Sequence, residues 1–301
     1  MHSLSRGWSF MQQAWQMAFK DKDLIKPSIY ALIVGFFVSI IGIIPLIAAG
    51  FLLGGNSSLV GQIAMVVISA ILIFAHYVVS YLFSGMTVYL IYGYLSEGDG
   101  RMDKAWAIVQ REFWNIISLA AVSTVVNLFI RRLRSGRNRR TGVNLAGSAL
   151  GGLIDTVWTE ASYLILPAMM IEDANLATGV KRATQIAKGN LLLIGVSTVG
   201  VRWLTGLISF VLDAIGLVIG LGVGFGLMSL FNSSTVALVI GIGLGAMIFF
   251  VFVMVAGIIS SYTMTAYNTC LFLWARDVEK AQAQGNPIQV AAPAPLAAAL
   301  A

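Results

Sequence analysis

The chain has 301 residues, of which 58% are hydrophobic and 11% charged, with a formal net charge of +6. Soluble domains carry roughly 25% charged residues, so this composition excludes an ordinary soluble fold. It also makes membrane-flanking lysine and arginine, rather than nucleic-acid binding, the better reading of the positive balance. The single cysteine, Cys270, excludes an intramolecular disulfide.

In chain order, Trp8, Met11, Trp15, Ala18 and Phe19 follow helical spacing and precede the charged run Lys20 to Asp23. This predicts an amphipathic helix at the headgroup level, where tryptophan is satisfied on both sides. From Pro27 to Ser96 no Asp, Glu, Lys or Arg occurs, a stretch of 70 residues, and Ala214 to Ala275 is a second one of 62. A crossing needs about 20 apolar helical residues, so each stretch holds a pair. The first apolar run starts too far in and is too long for a cleavable signal peptide. Two further short amphipathic segments, Met102 to Glu112 and Ala174 to Lys188, precede the runs beginning at Phe113 and Asn190. The chain reads as three repeats of one unit, an interfacial helix followed by a membrane hairpin.

The expected fold is all-α: a polytopic membrane domain over 1–281 with six spans near 28–53, 59–84, 113–130, 143–170, 190–212 and 236–264. A flexible Ala/Pro-rich tail, 282–301, follows. The region 213–231 fits poorly, being either a long extension of span five, a re-entrant segment or a seventh span. Six spans place twelve Lys and Arg on the side of both termini and six on the other, which puts the termini in the cytoplasm. The six are Arg131, Arg132, Arg134, Arg137, Arg139 and Arg140, and their loop then lies on the side the rule disfavours.

Four ionisable residues fall inside apolar runs: Asp155, Glu160, Arg202 and Asp213. Such charges normally face a partner or a water-filled cavity. Adjacent spans usually pack together, so a bridge from Arg202 to Asp155 or Glu160 is expected. Asp213 lies three turns beyond Arg202, too far to pair with it. The two aspartates lack the neighbours of an intramembrane aspartyl protease. His76, with one other histidine and one cysteine in the chain, points to a hydrogen bond between helices rather than a metal site. No Ser/His/Asp set can be assembled, and no cofactor is expected. Gly216, Gly220, Gly224, Gly241 and Gly245 have the four-residue spacing that lets helix backbones approach; without a flanking strand they are not a phosphate loop. The arginine loop reads as a topology anchor or a contact for anionic lipid or an acidic partner. Without interleaved aromatics it is not a nucleic-acid site.

Several junctions carry a family likeness: the Arg6-Gly7-Trp8 helix, Trp158 through Leu166-Pro167, the acidic turn Glu172-Asp173, Gly179 to Ala183, and Ala266-Tyr267 to Trp274-Ala275. In these the chain resembles bacterial six-span membrane proteins of a domain-of-unknown-function type, similar to the membrane domain attached to some glycerophosphodiesterases. The resemblance implies the topology and a bacterial inner membrane, and it brings no phosphodiesterase catalytic domain. The function expected is non-catalytic: packing with itself, as an oligomer, or with a membrane complex. The alternative is a transporter or channel whose polar route uses the intramembrane charges.

Overall fold

A computed structural model describes residues 2–135, 145–189, 191–230, 235–285 and 290–300, and among them every regular element is helical. The helices are α1 (His2–Lys20), α2 (Lys26–Leu52), α3 (Leu59–Glu97), α4 (Met102–Arg111), α5 (Phe113–Ser135), α6 (Leu145–Glu172), α7 (Leu176–Gly189), α8 (Leu191–Leu230), α9 (Thr235–Ala283) and α10 (Ala294–Leu300). Three times a short amphipathic helix (α1, α4, α7) precedes a pair of long ones. Five segments are long and apolar enough to cross a membrane: Lys22–Leu52, Leu59–Glu97, Phe113–Arg134, Gly200–Leu227 and Val239–Ala283. This is the architecture of a multi-pass all-α membrane protein. The remaining long helix, α6, is diluted by Asp155, Glu160, Trp158 and Tyr163.

The helices divide into a packed base and an apolar belt. Above the base, α2, the first half of α3 and most of α8 expose large aliphatic and aromatic side chains, among them Ile41, Ile44, Phe51, Val66, Phe210 and Val218. In hydrocarbon this exposure costs nothing, provided the backbone is satisfied within each helix. In the base the same residue types turn inward. Helix α9 runs through its centre, where Tyr262, Tyr267, Cys270 and Phe272 are fully buried. Around it sit Phe10 and Ala14 of α1, Leu90 and Ile91 of α3, and Ile165 and Met169 of α6.

Three sequence expectations change on contact with this arrangement. First, α1 does not lay its whole apolar face on lipid. Phe10 packs edge-on against Tyr267 at 5.3 Å, Tyr262 donates to the Ala14 carbonyl at 2.9 Å, and Trp15 donates to Thr263 at 3.1 Å. Only residues such as Trp8 and Phe19 stay outside. Second, of the three alternatives for 213–231 the structure takes the first, a long extension of span five. Over its described part the region continues α8 as one helix of 40 residues, about 60 Å at 1.5 Å per residue. Spans two and six also continue past their expected ends, α3 to Glu97 and α9 to Ala283. Third, part of the expected flexible tail is docked. Leu296 of α10 is fully buried in the base, and Trp274 donates to the Val290 carbonyl at 3.2 Å. Alanine and proline give no periodic signal there, and the segment is held by Pro295, Leu296 and the Trp274 bond together.

The turns are fixed by local chemistry. The Asp21 carboxylate accepts from the Asp23 amide at 3.0 Å and the Gly100 amide at 2.7 Å, tying the α1–α2 turn to the α3–α4 turn. Gly98 ends α3 at φ +81°, where a side chain would be strained. Arg182 of α7 reaches Glu172 of α6 and Glu279 of α9. Burial works to lower the basicity of this guanidinium, but the two carboxylates outweigh it and hold its pKa above the usual value.

Gly7 is where α1 meets α8, because a Cβ there would stand 2.9 Å from the Gly200 carbonyl oxygen. We expect Gly7→Val to destabilise the protein by about 1–3 kcal/mol, read as a lower thermal midpoint in detergent. Gly35→Ala, where nothing lies within 4 Å, should leave the midpoint level or raise it. Equal behaviour of the two variants would show that α1 is not seated on α8.

Candidate functional site

The intramembrane charges are brought together in two pairs. Arg202 of α8 binds Glu160 of α6, one of the two partners expected. The other, Asp155, instead takes Arg134 of α5, 2.9 Å away, and Arg134 also reaches the Gly151 carbonyl at 3.5 Å. Spacing along one helix could not choose between these partners, since the choice depends on which neighbour lies at each height. Arg202 also lies at the foot of the belt rather than mid-span, because α8 is held at Gly200 by α1. Asp213 stands apart, with its Oδ1 buried and without a hydrogen-bond partner among the described residues.

The glycines form the α8–α9 seam. A Cβ at Gly220 would meet the Gly245 carbonyl at 2.5 Å, one at Gly224 the Gly241 carbonyl at 3.1 Å, and one at Gly216 the Phe252 side chain at 2.5 Å. Glycine is therefore required for this backbone approach. An apolar groove of about 240 Å³ runs along the seam, lined by Leu217, Phe225, Ile242 and Phe249 with the glycines.

A second seam, between α3, α5 and α6, is polar. Tyr81 and Ser123 share a hydrogen bond of 2.7 Å, and Trp158 donates to Ser123 at 3.0 Å. Further along, Asn127 donates to Tyr77 at 3.3 Å and accepts from Arg131 Nε at 2.8 Å. His76 contacts the Leu72 carbonyl through Nδ1 and Ser39 through Nε2, both at 2.9 Å. A carbonyl only accepts, so Nδ1 carries a proton. Ser39 has one hydrogen to give, either to Nε2 or to the Gly35 carbonyl at 2.9 Å.

Two cavities open on this seam. One of about 120 Å³ lies between α3 and α6, lined by Tyr77, Ser80, Tyr81, Ser84, Trp158 and Ser162. The other, a groove of about 560 Å³, lies between α2, α3 and α5, lined by Ser39, Ile43, Leu72, His76, Tyr77, Asn127 and Arg131. Tyr77 and Ser80 line both. Sequence reasoning missed most of these residues, although a signal existed. Tyr77, Ser80, Tyr81 and Ser84 have i, i+3, i+4, i+7 spacing, one polar face in an uncharged run. Of the six loop arginines, Arg131, Arg132 and Arg134 extend α5, and Arg137, Arg139 and Arg140 lie outside the described residues.

The chain matches no protein-family model, and no curated protein matches it.

If the Arg202–Glu160 pair ties α8 to α6, Arg202→Leu alone should cost roughly 1–3 kcal/mol, between the exposed and buried limits for ion pairs. Adding Glu160→Leu should return most of that loss, because no carboxylate is then left unpaired. A single variant with the wild-type thermal midpoint would show that the pair ties nothing.

Proposed function

We propose that this chain is a non-catalytic, multi-pass protein of a bacterial inner membrane that works by assembling, with itself or within a membrane complex. In this reading all six long helices cross, both termini are cytoplasmic, and the arginine segment 131–140 meets anionic lipid. The resemblance of its junctions to bacterial six-span proteins agrees with that placement. So does the base, which gathers α1, α4 and α7 with most of the lysines and arginines on one side.

The observation that carries the assembly reading is the outer flank of α8. Above the base its principal neighbour is α9, and Gly222 and Gly226 meet nothing within 4 Å. Their four-residue spacing repeats on the outside what Gly220 and Gly224 do on the inside. The Arg134–Asp155 and Arg202–Glu160 pairs support it too, since they are internal ties, and only Asp213 among the four expected charges is left outside them. The polar seam supports a second reading, a passage for a small solute or ion, because Tyr77 and Ser80 line both of its cavities.

Native mass measurement after mild detergent extraction tests the first reading. We expect an oligomer or a stoichiometric partner, lost in the Gly222→Leu/Gly226→Leu double variant while the protein stays folded. A monodisperse monomer that comes alone would favour the passage reading instead. For the orientation, cysteines placed at Asn56 and Ser57 should react from outside intact cells and those at Gly179 and Gln282 should not. Labelling at Gln282 would require an odd number of crossings.

A further inference from the structure

Ser39 is level with His76 and Tyr77 is level with Asn127, through their hydrogen bonds. One turn beyond Asn127, Arg131 enters the groove between α2 and α3, beside Ile43, Leu72 and Ile73. Arg134 is neutralised by Asp155. Arg131 is exposed, its Nε is held by the neutral Asn127 amide, and it has no carboxylate partner among the described residues.

From this geometry we infer that the groove between α2, α3 and α5 binds a phosphate-type anion, presented as the headgroup of an anionic lipid. Fixing Arg131 through Nε leaves its two terminal nitrogens for a bidentate contact, the geometry guanidinium makes with phosphate. The other polar groups on the wall can donate: the Tyr77 hydroxyl, which accepts from Asn127 and keeps its own hydrogen, and Ser80. Among the described residues no carboxylate lines the groove, so none of them repels an anion there. Ile43, Leu72 and Ile73 form an apolar side to the same groove, which suits an acyl chain and would be useless to a free ion. A lipid headgroup and a long charged side chain adjust to meet each other, which lets the headgroup reach Arg131.

This inference rests on the lipid-contact reading of the arginine segment and narrows it to one residue and one groove. The test is native mass spectrometry with phosphatidylglycerol or phosphatidylcholine of identical chains, with and without inorganic phosphate. Wild type should retain phosphatidylglycerol about tenfold better than Arg131→Gln, the loss expected for one charge-assisted bidentate contact. Retention of phosphatidylcholine should not differ. Ile73→Trp, which fills the apolar side and leaves the guanidinium in place, should also lose phosphatidylglycerol, so the claim does not depend on one variant folding. Wild-type retention in both variants overturns the groove. If only Arg137→Gln/Arg139→Gln/Arg140→Gln loses the lipid, the groove is wrong and the broader lipid contact stands. No preference for phosphatidylglycerol in wild type removes both. Arg131-dependent displacement by inorganic phosphate, without preference between the lipids, overturns the amphiphile and leaves a free anion as the ligand.

Discussion

The structure depends on one buried stretch, the Tyr262–Ala275 part of α9. Tyr262, Thr263, Tyr267, Thr269, Cys270 and Phe272 are buried there almost completely, and α1, α3, α6 and α10 close around them. The reason lies in the solvent. Between helices in hydrocarbon there is no hydrophobic driving force, since lipid tails are as apolar as leucine. Where long apolar helices rise through lipid, their relative positions must be set by something else. The base supplies it, because expulsion of water favours a single packed arrangement there. The short amphipathic helices thus act as the clamps that hold the hairpins at their feet.

Within the belt, two kinds of seam do different work. The α8–α9 seam is steric: Gly220 faces Gly245 and Gly224 faces Gly241, so close backbone contact replaces side-chain interdigitation. The α3–α5–α6 seam is held by hydrogen bonds instead, with Ser123 shared by Tyr81 and Trp158 and Asn127 shared by Tyr77 and Arg131. A hydroxyl or amide in hydrocarbon must find such partners or suffer desolvation. Cavities lie along both seams, but the groove beside the glycines is lined by apolar groups, whereas those beside α3 carry hydroxyl, amide and guanidinium groups.

The protein itself engages two arginines of the 131–140 segment. The last described turns of α5 meet a carboxylate at Asp155 and an amide at Asn127. One arginine is thereby neutralised inside the protein and another is oriented, which distinguishes them from a row of interchangeable surface cations.

Much of the architecture was legible in the sequence. Absence of charge over Pro27–Ser96 and Ala214–Ala275 marks two hairpins, because water is the only solvent that demands charge on a surface. Helical spacing in Met102–Glu112 and Ala174–Lys188 marks two of the clamps, and four-residue glycine spacing marks a close seam. What sequence could not decide was anything set by height or by a distant partner. Asp155 and Glu160 lie on one helix, and only the levels of α5 and α8 beside it assign Arg134 to the first and Arg202 to the second. The apolar face of α1 suits lipid or protein equally, and Tyr262, some 250 residues later, settles it in favour of protein. The docked tail shows no helical period of large apolar residues, yet Pro295 and Leu296 find a place in the base. Local pattern specifies which residues must leave water; only the assembled fold specifies what they leave it for.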